Sequence, residues 1–440
     1  MKSSARLLCV ALLAGCGSAA RNNNPITDGG GSGNPDFVPN PQMCVGLQCQ
    51  IAQCDNGGDT TLSGRLFAPN GADPVPNAFV YVPNLGLPEF PTTVSCDLCG
   101  DIGAAATSTQ TAYDGTFTLK TVPSGDSIPI VFQLGRFRRV INMPIAPCAA
   151  QSPAKDPNVD GVRLPHHDAE LDAHDSIPRI AIATGDWDQI ECVLKRMGLD
   201  RFDLYDDRGG APPPTVGTLQ QLLTDSQKLQ GYNILVVNCT QNQFESIVAQ
   251  ANVKQNLHDY VAKGGRLYAT DWAYDVVNQI PEFASFFCFQ PDSGAAAMCS
   301  MNPQTPGVAD SFDAYNNNAT IVDPQLAEWL TLFPGVIDNQ KQVSVQYSFV
   351  VLSGVASDMM SFPTKVWVQG PAKSYGTKPM TVTFDYMQCG RVHFSTYNTE
   401  PNGFVPDQTR FPNCVTDFSP QERILEYLMF EIASCIPNPG

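Results

Sequence analysis

The number of cysteines limits what this chain can fold into more than any other feature of the sequence. The 440 residues contain fifteen cysteines, and only Cys9 and Cys16 fall in the N-terminal segment considered next. In an oxidising compartment most of the others should form disulfides, whereas in the cytosol they would stay reduced and would point to metal binding or catalysis. The compartment therefore decides how these cysteines constrain the fold.

The first sixteen residues predict export. Lys2 and Arg6 precede an apolar run at 7–13, which ends in Leu-Ala-Gly-Cys at 13–16. A basic start, a short apolar core and small residues before a cleavage point are typical of a secretory signal, and the run is too short to span a bilayer of about 30 Å. The alternative interpretation is an ordinary secretory signal, in which the cysteine at position 16 has no role. The four-residue pattern resembles the bacterial lipobox and instead predicts lipidation of Cys16, with attachment to the outer membrane because Gly17 follows.

The composition after this segment predicts a flexible tether followed by a folded, acidic body. Residues 17–42 are rich in asparagine, glycine and proline and lack apolar periodicity, so we expect a disordered tether with a cysteine-rich neck up to residue 57. A hydrophobic content of 43% is ordinary for globular protein, and the length allows two or three domains. The formal charge of -17 argues against nucleic acid and anionic lipid as partners, so membrane contact is expected through the lipid alone.

Export favours disulfides for most of the remaining cysteines. The positions for which we predict disulfide bonds are Cys44, Cys49, Cys54, Cys96, Cys99, Cys148, Cys288, Cys299, Cys414 and Cys435. Six cysteines in the first part of the chain can pair completely, and seven in the second part leave one free. A zinc site around Cys96 and Cys99 is the alternative, but no histidine lies close in sequence. The connectivity cannot be derived from the spacing.

Strand-like runs separated by turns dominate residues 58–150, and no helical period appears there. The runs are 61–66, 78–82, 110–112, 116–120, 128–134 and 138–141. Short strands with frequent turn residues predict a small antiparallel β-sandwich. Asp114 and Gly115 suit a tight hairpin that needs positive φ, and Pro123 and Gly125 suit the turn before the next strand.

This region resembles the carboxypeptidase regulatory-like domain, a transthyretin-like sandwich grouped with carbohydrate-binding-like folds. Four parts of that pattern occur in order: a first strand at 63–66, a proline-marked second strand at 74–82, the Asp-Gly turn at 114–115 and Val-Pro-Ser-Gly at 122–125. Such domains are usually accessory. The resemblance therefore implies binding or spacing and names no ligand.

Two charged clusters lie near the end of this region, and for both we favour solvent exposure. The basic run at 136–139 is a candidate contact for an anion or a glycan, but we favour a solvated strand end, because isolated basic clusters are common on protein surfaces. Residues 166–175 hold three of the five histidines and four carboxylates, a combination that could bind a transition metal. Because no fixed scaffold is visible, we predict instead that 151–176 is a solvated linker.

Strand and helix patterns alternate in residues 177–436, which predicts an α/β domain with a parallel sheet. Strands are expected at 179–184, 232–237 and 266–270, and helices at 187–197 and 257–263. In such sheets ligands bind beyond the carboxyl ends of the strands. The candidate cleft residues at those ends are Asp186, Trp187, Asp188, Asp271, Trp272, Asn398 and Glu400.

The order of these segments resembles the class I glutamine amidotransferase-like superfamily, including its trehalose-utilisation-like branch. The resemblance rests on Tyr-Asn-Ile-Leu-Val-Val at 232–237, on Tyr-Val-Ala-Lys-Gly-Gly-Arg-Leu-Tyr-Ala-Thr at 260–270, and on Gly-Arg-Val-His-Phe-Ser-Thr-Tyr at 390–397. It implies a flavodoxin-like sheet, with an insertion at about 284–341.

The chain departs from that superfamily at the positions that would carry catalysis. The resemblance implies a cysteine nucleophile on the turn after the third strand, where this chain has Asp271. It also implies a histidine followed two residues later by a glutamate, where this chain has Asn398 and Glu400. Since asparagine cannot take a proton from a nucleophile, two of the three triad positions are wrong for acyl transfer.

Cys239 is a candidate displaced nucleophile, because it too lies at a strand end. His393 is a poor base for it, since it lies five residues before the tip of its strand. We therefore predict a disulfide for Cys239, with Cys192 as the candidate partner.

The acidic residues at the strand ends allow two further interpretations. Asp186, Asp188, Asp271, Asp275 and Glu400 could line an acidic cleft that holds a carboxylate pair for hydrolysis or a calcium ion. Helix N-capping explains the positions of Asp186 and Asp271 without further function, and we favour it, although one aspartate can do both.

These observations predict a surface lipoprotein of the cell envelope that binds a carbohydrate or an envelope protein and catalyses no reaction. No cofactor, no metal and no nucleic-acid partner is expected. The alternative is a hydrolase that uses a rearranged cleft of Cys239, Asp271 and Glu400. A third possibility is a spacer without a ligand.

Overall fold

The computed structural model describes residues 44–99, 102–153, 162–207, 215–240, 244–291, 302–311, 313–355, 364–398, 411–414 and 417–436. The predicted export segment, the lipidation site at Cys16 and most of the predicted tether lie outside the described residues, as do Cys299 and Glu400. From Cys44 onward the chain belongs to one compact unit.

Strands dominate the described part of the chain. The strands are β1 Thr61–Phe67, β2 Phe79–Pro83, β3 Ala105–Gln110, β4 Thr116–Leu119, β5 Gly125–Leu134, β6 Phe137–Ile145, β7 Ala150–Gln151, β8 Val162–Arg163, β9 Ile180–Ala183, β10 Asp203–Asp206, β11 Gly217–Thr218, β12 Ile234–Val237, β13 Arg266–Thr270, β14 Phe287–Phe289, β15 Tyr315–Ile321, β16 Gln342–Ser348, β17 Leu352–Val355, β18 Lys365–Pro371, β19 Thr377–Tyr386 and β20 Gly390–Ser395. The helices are α1 Ile190–Arg196, α2 Leu219–Thr224, α3 Ser226–Gln230, α4 Glu245–Val248, α5 Ala251–Ala262, α6 Asp275–Asn278, α7 Pro324–Leu330 and α8 Pro420–Ala433. Among these helices none has both the length and the apolar character that crossing a bilayer requires.

Strands β1 to β8 form two four-stranded sheets. One has the order β4-β1-β7, with β8 also paired to β1, and the other has the order β3-β2-β5-β6. Phe117 of the first sheet and Phe132 of the second meet with ring centroids 5.5 Å apart, and both belong to one buried apolar cluster. Five of the six predicted strand runs overlap the observed strands over most of their length, whereas the run at 110–112 only begins at the last residue of β3.

The Asp-Gly turn joins the two sheets. The predicted hairpin is wrong, because β3 and β4, which flank the turn, lie in different sheets. The predicted positive φ is present, since Gly115 has φ 77°. A Cβ at this position would lie 2.4 Å from the carbonyl oxygen of Leu66, so only glycine fits here.

A ten-stranded sheet dominates the second part of the described chain, in the order β11-β10-β9-β12-β13-β20-β19-β18-β15-β16, and β14 pairs with β17 in a separate two-stranded sheet. The first six strands are parallel, as predicted. Ile182 of β9 packs in a cluster with residues of α1 and α8, and its neighbour Ala183 packs in a second cluster with residues of α2 and α5. Because helices cover both faces of β9, the strand is apolar throughout.

Four antiparallel strands extend this sheet beyond β20. Strand β19 pairs with β20, β18 with β19, β15 with β18 and β16 with β15, and all four pairs are antiparallel. The sheet is therefore mixed, and the prediction of a purely parallel sheet covers only six of its ten strands. Strand β15 comes from the segment that we expected to be an insertion.

Five disulfides are described. They are Cys44–Cys49, Cys54–Cys148, Cys96–Cys389, Cys99–Cys435 and Cys192–Cys414. They confirm the predicted disulfide state of Cys44, Cys49, Cys54, Cys96, Cys99, Cys148, Cys414 and Cys435, and Cys288 is disulfide-bonded as well.

The connectivity differs from the expectation in two ways. Cys96 and Cys99 pair with cysteines of the second half, so the first six cysteines do not pair among themselves. Cys192 pairs with Cys414, and Cys239 is a buried free thiol. The predicted disulfide between Cys192 and Cys239 is therefore wrong.

The expected solvent exposure of the basic run is wrong, because Arg138 and Arg139 bind the predicted linker. The linker itself is partly exposed, at Asp168, Ala169, Leu171 and Ala173. Arg138 and Arg139 are only 2% and 1% exposed. Arg139 donates hydrogen bonds to Asp175 at 2.5 Å and to Glu170 at 2.8 Å. Arg138 donates through Nε to the carbonyl oxygen of His174 at 2.9 Å. Contacts between the two segments thus bury the two arginines and Asp175.

Candidate functional site

The register of the ten-stranded sheet brings the carboxyl ends of its central strands to one level. Val237 of β12 lies beside Ala183 of β9 and Ala269 of β13. Val237 and Ala269 are paired in the register, and Cys239 and Asp271 lie two residues after them, beyond the ends of their respective strands. Cys239 and Asp271 are therefore neighbours at this edge. The sequence argument that placed candidate residues at the strand ends therefore brings at least these two together.

Asp271 occupies a strained turn at the end of β13. Its φ of 44° lies in the left-handed region that side chains other than glycine rarely adopt. The side chain is fully buried. Its Oδ2 accepts a hydrogen bond from the Phe349 N–H at 3.0 Å, while Oδ1 has no hydrogen-bond partner in the described part of the chain.

The electrostatic surroundings of Asp271 favour its protonated form. Burial raises the pKa of Asp271 well above its ordinary value. The Phe349 N–H opposes this shift, and the negative charges of Asp188 and Asp310 add to it. Asp271 therefore holds its proton far more firmly than an exposed aspartate does, and it is poorly suited to act as a carboxylate nucleophile.

Cys239 is equally unsuited to nucleophilic attack. Burial raises the pKa of its thiol, and the neighbouring Asp271 raises it further. The Trp272 N–H and the Asn398 side chain face the sulfur and oppose this shift. Because the thiolate is the reactive form, a buried thiol beside acidic groups is a weak nucleophile.

Asp186 and Asp188 bind threonines of neighbouring strands. The Thr240 hydroxyl donates to Asp186 at 2.7 Å, and the Thr270 hydroxyl donates to Asp188. Helix α1 begins without a side-chain cap, and so does the single helical turn that starts at Asp271. The N-capping interpretation of Asp186 and Asp271 is therefore wrong.

Asn398 stands where the amidotransferase-like pattern would have a histidine. It is fully buried, and its carboxamide faces the Cys239 sulfur without meeting hydrogen-bond geometry to any described residue. The backbone carbonyl oxygen of Asn398 accepts a hydrogen bond from the Gln421 side chain of α8. Buried polar atoms without partners are rare in folded proteins and call for an explanation at the site.

Trp187 and Trp272 lie on the apolar side of this edge. Both pack against the cluster that contains α2 and α5, and the Trp272 ring meets Phe349 with centroids 5.9 Å apart. The backbone N–H of Trp187 donates a hydrogen bond to the backbone carbonyl oxygen of Cys239 at 3.3 Å. This close approach needs Gly185, since a Cβ there would lie 2.2 Å from the same oxygen.

Sequence reasoning named Asp275 but missed two further acids with shifted pKa values. Burial raises the pKa of Asp207 to about 8, with help from Asp206 and Asp186. It raises the pKa of Asp275 to about 7 and that of Asp310 to about 6. Asp207 directly follows β10, so the strand-end rule could have found it. Asp310 follows no strand, and no sequence signal marks it.

His393 does not serve as a base for Cys239. It is fully buried on β20, and its Nδ1 lies 2.8 Å from the Thr383 hydroxyl. Burial lowers the pKa of His393 well below its ordinary value, and the charges of Arg391, Lys365 and Arg266 lower it further. The ring is therefore neutral and is held within the sheet.

The strand-end edge therefore holds a carboxyl group, that of Asp271, and a thiol, that of Cys239, whose pKa values are both raised by burial. An activated nucleophile with an adjacent base is not assembled from the described residues. Within the same residues, no group of three or more His, Cys, Asp or Glu side chains is arranged to hold a metal ion. Such an edge can donate and accept hydrogen bonds, but it is not set up for acyl transfer.

A groove at the opposite, amino-terminal edge of the sheet is a second candidate site. Two cavities of about 240 and 370 Å³ lie there and share Asp168, Ile177 and Arg179 as lining residues. Arg179 immediately precedes β9, and Asn233, which also lines the groove, immediately precedes β12. The groove lies where the first two sheets meet the ten-stranded sheet, and such junctions are common ligand sites.

No family model matches the chain, and no curated protein matches it. Among solved structures, the chain is similar to the mmIFT52 N-terminal domain, with 10% identity and a TM-score of 0.35 over 58% of this chain and 97% of that one. It is similar to a putative ThuA-like protein from Bacteroides uniformis, with 10% identity and a TM-score of 0.34 over 57% and 90%. It is also similar to a glutamine amidotransferase from Thermotoga maritima, with 9% identity and a TM-score of 0.31 over 58% and 98%. The strand order and register of the sheet by themselves define an α/β fold.

Proposed function

We propose that this chain is a lipoprotein of the cell envelope, attached to the outer membrane through Cys16, whose folded part binds a carbohydrate or protein partner without catalysing a reaction. The sequence pattern at 13–16 supports the anchor. The five disulfides support export, because such bonds persist in oxidising compartments.

The two N-terminal sheets support an accessory role for the first part of the chain. Their strand order and shared core suit the regulatory-like β-sandwich that the sequence resembles. Two disulfides and the buried Arg139–Asp175 pair fix this part to its surroundings. We propose that it builds one wall of a binding site on the α/β sheet.

One observation carries the proposal of binding over catalysis. The strand-end positions that would hold a nucleophile and its base hold Asp271, a buried Cys239 and Asn398, and none of them can begin acyl transfer. The groove at the amino-terminal edge is in contrast open and lined by charged side chains.

The experiment compares binding with turnover in one preparation. The full chain carrying Cys16→Ala is tested for retention on envelope fractions, and for hydrolysis of chromogenic amide, ester and glycoside substrates. We expect saturable retention on envelope fractions and no turnover above the rate with buffer. Turnover that Asp271→Ala or Glu400→Ala abolishes would overturn the proposal.

A hydrolase is the second candidate, and one observation favours it. Asp271 combines a left-handed φ, an unpartnered Oδ1 and a raised pKa, which is a combination found at active sites. In this candidate Asp271 acts as a general acid, and Asp188 supplies the second carboxyl group. Loss of turnover in Asp271→Asn, with retention on envelopes unchanged, would favour the hydrolase.

A further inference from the structure

The two cavities at the amino-terminal edge form one elongated groove. The first is bounded by Phe90, Arg136, Arg138, His174 and Asn233. The second is bounded by Asp200, Arg201, Phe202, Asp203 and Tyr232. Because Asp168, Ile177 and Arg179 line both, the cavities are adjacent. Each is near the lower end of the volumes typical of small-molecule sites, about 300–1,000 Å³.

Two of the arginines that line the groove lie over aromatic rings. Arg138 lies over the Phe90 ring at 4.3 Å from its centroid, and it donates to the carbonyl oxygens of His174 and Pro88. Arg179 lies over the Tyr232 ring at 5.4 Å. Arg138 is buried and belongs to the wall of the groove, whereas Arg179 is exposed and can reach a ligand. A guanidinium that already stacks on a ring loses less freedom when it binds a ligand, and this favours affinity.

Carboxylates line the same two cavities as these arginines. Asp168 and Arg179 both line each of the two cavities, and Asp200 and Asp203 line the second together with Arg201. An anionic ligand would meet the carboxylates and a cationic ligand would meet the guanidinium groups. A neutral ligand with adjacent hydroxyl groups matches both, since each hydroxyl can accept from arginine and donate to aspartate.

Aromatic rings supply the apolar part of the lining. Tyr232 is fixed by its hydroxyl, which donates to Asp203 at 2.6 Å. Phe202 is partly buried and meets Phe411 with centroids 5.5 Å apart. Apolar ring faces beside paired donors and acceptors suit a molecule whose C–H faces and hydroxyl edges alternate, as they do in a sugar ring.

We infer that this groove binds a neutral oligosaccharide, with one sugar ring in each cavity. The inference rests on the proposed binding function, and it assigns that function a site and a ligand class. A peptide ligand would need an apolar groove or a free strand edge, and the charged lining provides neither.

The experiment measures binding of the full chain carrying Cys16→Ala to a glycan array, followed by titration calorimetry with the neutral tetrasaccharide that binds best. Tetragalacturonate is the anionic probe in the calorimetry. Arg179→Ala should weaken binding of the neutral tetrasaccharide about tenfold, because it removes hydrogen bonds from a charged donor. Arg179→Lys should weaken it to a similar extent, since an ammonium group lacks the planar fork. Arg65→Ala is the matched control, because Arg65 is an exposed arginine on β1 in an ion pair with Asp114.

Asp200→Asn separates neutral from anionic ligands. Weaker binding of the neutral tetrasaccharide supports the inference, because a carboxylate acceptor is lost. Preference for tetragalacturonate, retained in Arg179→Lys and strengthened in Asp200→Asn, overturns it in favour of an anion. Saccharide binding that is unchanged in Arg179→Ala overturns the site but not the proposed binding function. Retention on envelopes without binding to any array glycan overturns the ligand class and leaves a protein partner.

Discussion

Arg139 donates a hydrogen bond to Asp175 over 2.5 Å, and both side chains are almost fully buried. Removing one partner of such a pair leaves an uncompensated charge in a low-dielectric interior. We expect Arg139→Met to lower the free energy of unfolding by about 3–5 kcal/mol. The measurement is urea denaturation followed by circular dichroism.

The exposed pair of Arg65 and Asp114 is the control for this prediction. Arg65→Met should cost no more than about 1 kcal/mol, because exposed ion pairs contribute little. Equal effects of the two substitutions would mean that the Arg139 pair is not buried as described.

Glu170, which also binds Arg139, should make the protein less stable in acid. Burial alone would raise the pKa of Glu170, but hydrogen bonds from Arg163, the His166 N–H and Arg139 hold it at about 2. Since this pKa is below the ordinary value, the stabilisation is complete above about pH 4.5 and is lost as the pH falls toward 2. Glu170→Gln should flatten the dependence of the melting temperature on pH within this window. Glu328→Gln, at an exposed position on α7, should leave the slope unchanged.

Asp271 should show the opposite pH dependence. Its pKa is raised in the folded state, so its contribution is complete at low pH and is lost as the pH rises through the folded pKa. Asp271→Asn keeps an acceptor for the Phe349 N–H, tolerates the left-handed φ and carries no charge. We expect it to raise stability by about 1–3 kcal/mol at pH 8 and to have little effect at pH 4.

Asp271→Ala is the matched comparison. It removes the acceptor for the Phe349 N–H, and alanine lacks the polar side chain that helps asparagine and aspartate tolerate a left-handed φ. It should destabilise the protein at both pH values. Stabilisation by alanine as well would mean that the hydrogen bond to Phe349 contributes nothing.

Cys239 should be unreactive in the folded protein. Burial and the neighbouring acids raise the pKa of its thiol, so neither access nor ionisation favours attack on a disulfide reagent. We expect no release of thionitrobenzoate from native protein at pH 8, and release equivalent to one or two thiols after denaturation in guanidinium. Cys239→Ser should lower the denatured count by one. A larger count in denatured protein would contradict the disulfide assignment.

The alternation of strand and helix patterns was sufficient to predict the parallel half of the sheet. Strands β9, β12 and β13 are buried on both faces, so each of them is a short run of mostly apolar residues that can be recognised from the sequence. The same logic placed Cys239 and Asp271 at one edge, because parallel strands end together. The antiparallel strands β15 and β16 carry mixed burial patterns, and their order along the sheet depends on distant partners.

Contacts between distant segments were the part that the sequence did not reveal. Arg139 and Asp175 each belong to a run that looks solvated by itself, and only their approach in three dimensions removes both from water. Cys96 and Cys389 lie 293 residues apart, so spacing gives no indication of their pairing. The left-handed φ of Asp271 was likewise hidden, because a local pattern at a strand end fits a capping aspartate equally well.

Membrane attachment should depend on Cys16 alone. The chain carries a formal charge of -17, which gives it no general attraction to anionic lipid, so the predicted lipid must supply the whole anchor. After a carbonate wash, which strips protein held only by a binding partner, Cys16→Ala should be found in the soluble fraction, whereas the unsubstituted protein should stay in the membrane. Cys9→Ala, within the apolar run of the same segment, should leave it membrane-bound. Persistent attachment of the Cys16→Ala protein after a carbonate wash would show that another part of the chain holds the membrane.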